Sequence, residues 1–250
     1  MQLMLCLVLF GLFCVTTCEE EFLPSYITPC KLEDKELADC VREQIKISLP
    51  HFTKGVPEFN VPSIDPVKLD DIKIDGNGLV LTFTQAAMHG LSKSELTDLR
   101  VKIGDSDEDF KLAFKGNLSL TAKYEVDGRI LILPIQGKGD AFVYAQGVEV
   151  EINSKLSHVK DKQNRTHFKL ITPSYNYTIE RTTFDLKNLF NGNKQLADTT
   201  IQFANENWRQ LMDDLAPPAI KQIVRTCVKA INKFFSNVTI ARMVKGYKDH

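Results

Sequence analysis

Catalytic signatures are missing from this chain. Its five histidines, His51, His89, His158, His167 and His250, are scattered, with no His-x-x-x-His spacing to hold a metal. No G-x-S-x-G turn presents a nucleophile, and no glycine-rich loop cradles a phosphate. The acidic group Asp105, Asp107, Glu108 and Asp109 lacks the spacing and turn glycine of a calcium loop and reads as solvated surface. Asp213 and Asp214 are adjacent, so they point to different helix faces and form no acid–base pair. No enzyme, cofactor or metal site is expected. An excess of one charge is missing too: 31 Lys and Arg offset 32 Asp and Glu, and the two signs are interspersed. That balance gives no electrostatic footprint for nucleic acid and no polybasic membrane patch. Past the first residues, no apolar run approaches the ~20 needed to span a bilayer, so no stable membrane anchor is expected.

The N-terminus carries the one long apolar run, 13 residues from Leu3 to Val15. That length suits the core of a signal peptide, with Thr16 and Cys18 small enough to flank a cleavage site. Residues 1–18 therefore read as a signal peptide and 19–250 as a single secreted domain. Cleavage after Cys18 removes Cys6, Cys14 and Cys18 and leaves Cys30, Cys40 and Cys227. Cys30 and Cys40 are close enough to close an 11-residue loop, worth roughly 3 kcal/mol by chain entropy. Cys227 is then the odd thiol, either an intermolecular link or a packed side chain, and its place on an apolar helix stripe favours packing. Four sequons, at Asn117, Asn164, Asn176 and Asn237, are candidate glycosylation sites in an exported chain.

What the chain has in abundance is alternation. From Phe110 to Val126 apolar residues recur at every second position, with Lys111, Lys115, Asn117, Lys123 and Glu125 between them, and only Gly116 interrupts the register. A strand that long must curl around an elongated apolar interior. Asp127-Gly128 reads as its hairpin turn, with the return starting at Arg129; Pro134 implies an edge or bulge, and Gly137 and Gly139 a bend. Further strands are expected at 69–74, 79–84, 141–152 and 167–179. Helical spacing appears from Asp34, a plausible cap, to Leu49, stopped by Pro50. It appears again in Leu196, Thr200, Ala204, Trp208, Leu211 and Leu215, and after Pro217-Pro218 in Ile220, Ile223, Val224, Cys227, Val228, Ile231 and Phe234. The prolines are expected to break or kink this run. The fold class is α+β: a long C-terminal helix wrapped in a strongly curved antiparallel sheet.

Pro29-Cys30 with Cys40, Gly55-Val56-Pro57, Ile64-Asp65-Pro66, Gly78-Leu79-Val80 and Asn205-Glu206-Asn207-Trp208, in this order, resemble the insect Takeout and juvenile-hormone-binding protein family across the mature chain. The resemblance implies one arm of the tubular lipid-binding fold, with an apolar tunnel for juvenile hormone, a fatty acid or a similar lipid. It also implies a location in haemolymph or sensillar fluid and links to circadian output or chemosensation. Moth hormone carriers pair a sheet cysteine with the helix cysteine. No cysteine stands between Lys169 and Phe184, which favours the Takeout-like branch.

Candidate lining residues are Phe110, Leu112, Phe114, Leu118, Leu120 and Tyr124 on the strand and Trp208, Leu211 and Leu215 on the helix, although each serves a solid core equally well. The resemblance places a polar anchor on a sheet tyrosine, for which Tyr144 is the nearest match, with Tyr124, Tyr175 and Tyr177 as competitors. Ile64-Asp65-Pro66 reads as a structural turn. The reading is a monomeric secreted carrier of a small hydrophobic ligand, terpenoid or long-chain lipid. The alternatives are an extracellular signalling protein with a packed core and a membrane-contacting defence protein, against which the near-neutral charge argues.

Overall fold

Alternation as long as that after Phe110 builds a strand longer than a small protein is wide, and the rest of the chain is arranged around it. A computed structural model describes residues 22–33, 35–104 and 107–248. The expected signal peptide, the Asp34 cap and Asp105 lie outside the described residues. In chain order the elements are β1 (Cys30–Lys31), α1 (Leu37–Phe52), β2 (Val67–Lys68), β3 (Ile72–Gly76), β4 (Leu79–His89), β5 (Glu95–Arg100), β6 (Glu108–Ile130), β7 (Leu133–Lys160), β8 (Thr166–Thr178), β9 (Arg181–Leu186), α2 (Lys194–Glu206), α3 (Trp208–Phe235), α4 (Ile240–Met243) and β10 (Val244–Lys245).

Among the described residues, eight strands form one antiparallel sheet. β4, β6 and β7 make its centre, β2 and β3 one edge, and β8 and β9 the other, while β5 lies on β6. β6 and β7 pair from Glu108↔Leu156 to Ile130↔Leu133. Drawn straight, the 23 residues of β6 would reach ~75 Å at about 3.3 Å per residue. Bulges curl them instead. They fall between Thr84 and Ala87 on β4, between Leu96 and Asp98 on β5, and between Gly116 and Leu118 opposite Ala145 and Val148. In the last of these, the Asn117 side-chain oxygen accepts the Gly147 N–H at 2.9 Å. The result is a half-barrel whose apolar concave face wraps α3.

Three boundaries differ from those expected. The β6–β7 turn is Leu131-Ile132, not Asp127-Gly128, which remain in the ladder opposite Gln136 and Ile135. Gly128 serves close approach: a Cβ there would stand 2.1 Å from the Gly78 carbonyl oxygen, at the turn leading into β4. α1 runs through Pro50, and α3 runs through Pro217 and Pro218. A helical proline strands the carbonyl four residues back. Here those residues, Lys46, Asp213 and Asp214, are exposed, so water can satisfy the freed oxygens. The break between the late helices falls instead at Asn207 (φ −104°), whose side chain donates to the Phe203 carbonyl at 2.9 Å.

Helix and sheet are joined by three two-point amide bonds. Asn232 of α3 accepts the Leu170 N–H at 2.8 Å and donates to the Leu170 carbonyl at 2.9 Å. Asn205 of α2 does the same with Phe184, at 2.7 and 3.2 Å, and Gln222 of α3 with Asp70, at 2.7 and 3.3 Å. Leu170 and Phe184 belong to the β8–β9 edge, and Asp70 lies between β2 and β3 at the other. Each amide takes the place of a missing neighbouring strand for one residue, so the helices are tied to both open edges. The Ile64-Asp65-Pro66 turn is a further tie: the Asp65 carboxylate accepts N–H bonds from Gly90 at 3.0 Å and Ser92 at 2.8 Å.

Asn232→Leu leaves both buried backbone groups of Leu170 unpaired. It is expected to lower unfolding stability in urea by roughly 2–3 kcal/mol, with Asn232→Asp, which keeps the acceptor, losing less. A loss within error of zero would show that the amide bond adds nothing.

Candidate ligand-binding site

The concave face is not filled along its whole length. Between α1, α3 and the concave face of the sheet lies a cavity of about 310 Å³. Its floor is the sheet, with Phe110, Leu112, Phe114 and Leu118 from β6 and Val148, Val150, Ile152 and Leu156 from β7. Its roof on one side is α3, through Ile220, Ile223, Val224, Cys227 and Ile231; on the other it is α1, through Val41, Ile45, Leu49 and Phe52. Every residue of α1 is at least partly accessible. Its apolar stripe packs against the edge of the core through Val41, Ile45 and Phe52 and borders the cavity as well, so a helix with the right periodicity buries nothing fully.

The end wall is built where the two ends of the described chain meet. β1 and β10 pair in parallel, Cys30 opposite Val244, and both residues line the cavity. The Cys30–Cys40 disulfide, with Cα atoms 5.9 Å apart, ties β1 to the first turn of α1. Next to this wall stands His167, 3% exposed. Its Nδ1 lies 2.9 and 3.0 Å from the Phe235 and Val238 carbonyl oxygens, and its Nε2 lies 3.1 Å from Asp161 Oδ2. Withdrawal from water works against ionisation of Asp161. Hydrogen bonds from Arg165, His167 and Gln163 outweigh it and hold the carboxyl well below the usual carboxylate range. The imidazole thus links the β7–β8 turn to the C-terminal end of α3.

Of the residues singled out in the sequence, the structure brings Phe110, Leu112, Phe114 and Leu118 together on the cavity floor. Leu120, Tyr124 and Leu211 are buried in the packed core, with Trp208 and Leu215 against it; none of the five lines the cavity. Tyr124 donates to the Lys187 carbonyl at 2.8 Å, and burial pushes its phenol up to about 12. Trp208 carries the Arg209 guanidinium 5.1 Å from its ring centre. Tyr144 stands on the convex face, 40% exposed. The reason is the bulge at Gln146-Gly147. Beyond it Val148, Ile152 and Leu156 face inward at even positions, and before it Ala141, Val143 and Ala145 do so at odd ones. Tyr144 therefore points outward, and the expected sheet-tyrosine anchor is absent from the cavity lining. Tyr175 and Tyr177 do not line it either.

Sequence reasoning did not single out the α1 wall. Its signal is the stripe Val41, Ile45, Leu49 with Gln44 and Ser48 one position away, which reads as ordinary helix amphipathicity. Cys227 lies on the apolar stripe as expected, but it borders empty space. Burial there pushes its thiol up to about 12.

The profile of the family described as haemolymph juvenile hormone binding protein matches residues 6–245. The circadian clock-controlled protein daywake of Drosophila melanogaster is 30% identical over 239 residues, covering 90% of this chain and 89% of that protein. A candidate beta-carotene-binding protein of Schistocerca gregaria is 20% identical over 207 residues, covering 82% and 83%. The crystal structure of Takeout 1 from Epiphyas postvittana matches with a TM-score of 0.80 at 27% identity, over 88% of this chain and 100% of that one.

Two outcomes are expected. A thiol raised this far is almost wholly protonated at pH 8. Dithiobis-nitrobenzoate should therefore label Cys227 at least ~100-fold more slowly in the native than in the unfolded protein; equal rates would place the thiol at the surface. A carboxyl depressed by folding adds stability above its unfolded pKa of about 3.9 that is lost as pH falls through the lower folded value. Asp161→Asn should therefore lower the melting temperature at pH 7 and flatten its decline between pH 5 and pH 2. An unchanged decline would remove Asp161 from the acid response.

Proposed function

Because the chain belongs to the haemolymph juvenile hormone binding protein family, we propose that it is a secreted, non-enzymatic carrier that sequesters one elongated apolar molecule in the cavity between α1, α3 and the curled sheet. The observation that carries this is the lining: aliphatic and aromatic side chains from the sheet, α1 and α3 enclose about 310 Å³, within the range of small-molecule sites at about 300–1,000 Å³. A void of this size left in a core is destabilising, since its walls lose their packing partners. A ligand restores those contacts. Burying on the order of 400 Å² of apolar ligand surface gives about 10 kcal/mol gross at ~25 cal/mol/Å². Association and ordering offset part of this, leaving affinities roughly in the micromolar to nanomolar range.

The names of the family and of a relative point to juvenile hormone and beta-carotene as ligands elsewhere in this group. For this chain the proposed ligand class is a terpenoid or long-chain lipid. The proposed mature protein starts at Glu19, enters the extracellular fluid as a monomer, and carries glycans on some of Asn117, Asn164, Asn176 and Asn237, all of which are exposed.

Native mass spectrometry of the secreted protein, before and after glycan removal, tests the reading. The expected result is an N-terminus at Glu19, a mass drop on deglycosylation, and a 1:1 adduct of a long apolar molecule released on denaturation. Val224→Trp, which fills the cavity from α3, should keep a cooperative melt and lose the adduct. A wild-type protein that stays free of ligand after incubation with juvenile hormone, fatty acids and long-chain quinones would overturn the carrier reading in favour of a signalling protein.

A further inference from the structure

We infer that Gln44 and Ser48 of α1 form the polar seat of the cavity and select ligands whose oxygen-bearing end is uncharged; the inference rests on the carrier reading above.

The first support is what the lining omits. Among the described residues, no Lys, Arg, His, Asp or Glu lines the cavity. An ionised carboxylate brought into such a space loses its hydration and meets no cation, which strongly disfavours it. An ester, ketone, epoxide or alcohol loses far less and needs only one or two hydrogen bonds.

The second support is where unspent donors remain. Five residues with polar side chains line the cavity: Thr28, Gln44, Ser48, Thr53 and Ser94. Thr53 Oγ1 donates to the Leu49 carbonyl at 2.9 Å and Ser94 Oγ to the Gly90 carbonyl at 3.4 Å, so both hydroxyl protons are used locally. Thr28 is exposed to solvent. Gln44 and Ser48 differ. The Thr28 backbone N–H donates to Gln44 Oε1 at 2.7 Å. This bond settles the orientation of the amide: its oxygen is occupied, and Nε2 keeps two protons free for an acceptor. Ser48 lies one turn further along α1, on the same face, and among the described residues its hydroxyl has no hydrogen-bond partner, as Gln44 Nε2 has none. Side chains at this spacing have Cβ atoms roughly 5–6 Å apart, so one ester or two neighbouring oxygens can take both donors.

The disulfide holds this arrangement. Cys30 follows Thr28 by two residues, and Cys40 precedes Gln44 by one helical turn, so the bridge fixes the segment that orients the amide. An apolar chain then extends from α1 toward Ile152 and Ile223 with its polar end at the helix.

The test is displacement of N-phenyl-1-naphthylamine by three chains of equal length, methyl palmitate, palmitate at pH 8 and hexadecane. Wild-type protein should prefer the ester to either of the others by about tenfold, the size expected of one or two net hydrogen bonds. Ser48→Ala and Gln44→Leu, checked by thermal melting for a native fold, should bring the ester down to the level of hexadecane. Gln44→Lys should reverse the order and favour palmitate. Palmitate binding wild type as tightly as the ester, or an ester preference that survives both substitutions, would overturn the inference while leaving the carrier intact. Uptake of none of the chains nor of the probe would overturn the carrier reading and the inference together.

Discussion

An open half-barrel leaves a row of backbone N–H and C=O groups without partners along each edge, next to an apolar face that must be covered. In this protein one device answers both demands. Asn205, Gln222 and Asn232 sit on the helices that fill the concave face, and each presents a carboxamide to one edge residue as a strand would. α3 cannot slide along the groove without breaking the four hydrogen bonds of Gln222 and Asn232, nor α2 without breaking the two of Asn205, and the sheet cannot uncurl without losing them. Curvature, helix position and the space left between them are therefore set together.

The cavity follows from that fixed frame. α3 lies against the concave face of the sheet, and α1 completes the roof beside it. The Ala residues of α3 that permit close approach, Ala216 and Ala230, are fully buried. The stretch between them carries Ile220, Ile223, Val224 and Cys227, which line the cavity. The edge bonds fix α3 at one position over the sheet, so the space beside it is set by the same frame.

Legibility in the sequence varied with how local the determining physics was. β6 declared itself because alternation needs only the residues of one strand. The stripe from Ile220 to Phe234 did so for the same reason. Asp127-Gly128 misled because a glycine required by tertiary approach to Gly78 looks the same as one required by a turn. Pro217-Pro218 misled because helix continuity there depends on Asp213 and Asp214 being exposed, which no local pattern shows. Within the site, the four β6 residues were visible but their role as walls was not. Whether a buried face meets protein or space is decided by side chains from α1 and α3 that are distant in sequence. Tyr144 shows the sharpest limit, since one bulge at Gly147 reverses the facing of every residue on the far side. In Asn205-Glu206-Asn207-Trp208 the sequence held a resemblance whose physical content, an edge bond and a helix break, appears only in three dimensions.

The pairing of Cys30 with Val244 has a consequence for the order of events in folding. These residues stand near opposite ends of the chain, so the contact that completes the end wall has nearly the greatest sequence separation the protein allows. Closing so long a loop is entropically only modestly worse than closing a shorter one, but it must await synthesis of the last helix. Until residue 244 is made, β1 and β10 cannot pair, and the wall that Cys30 and Val244 share is incomplete. Completion of the cavity is therefore tied to the last strand of the described chain, and a chain cut short before Val244 lacks one side of the end wall.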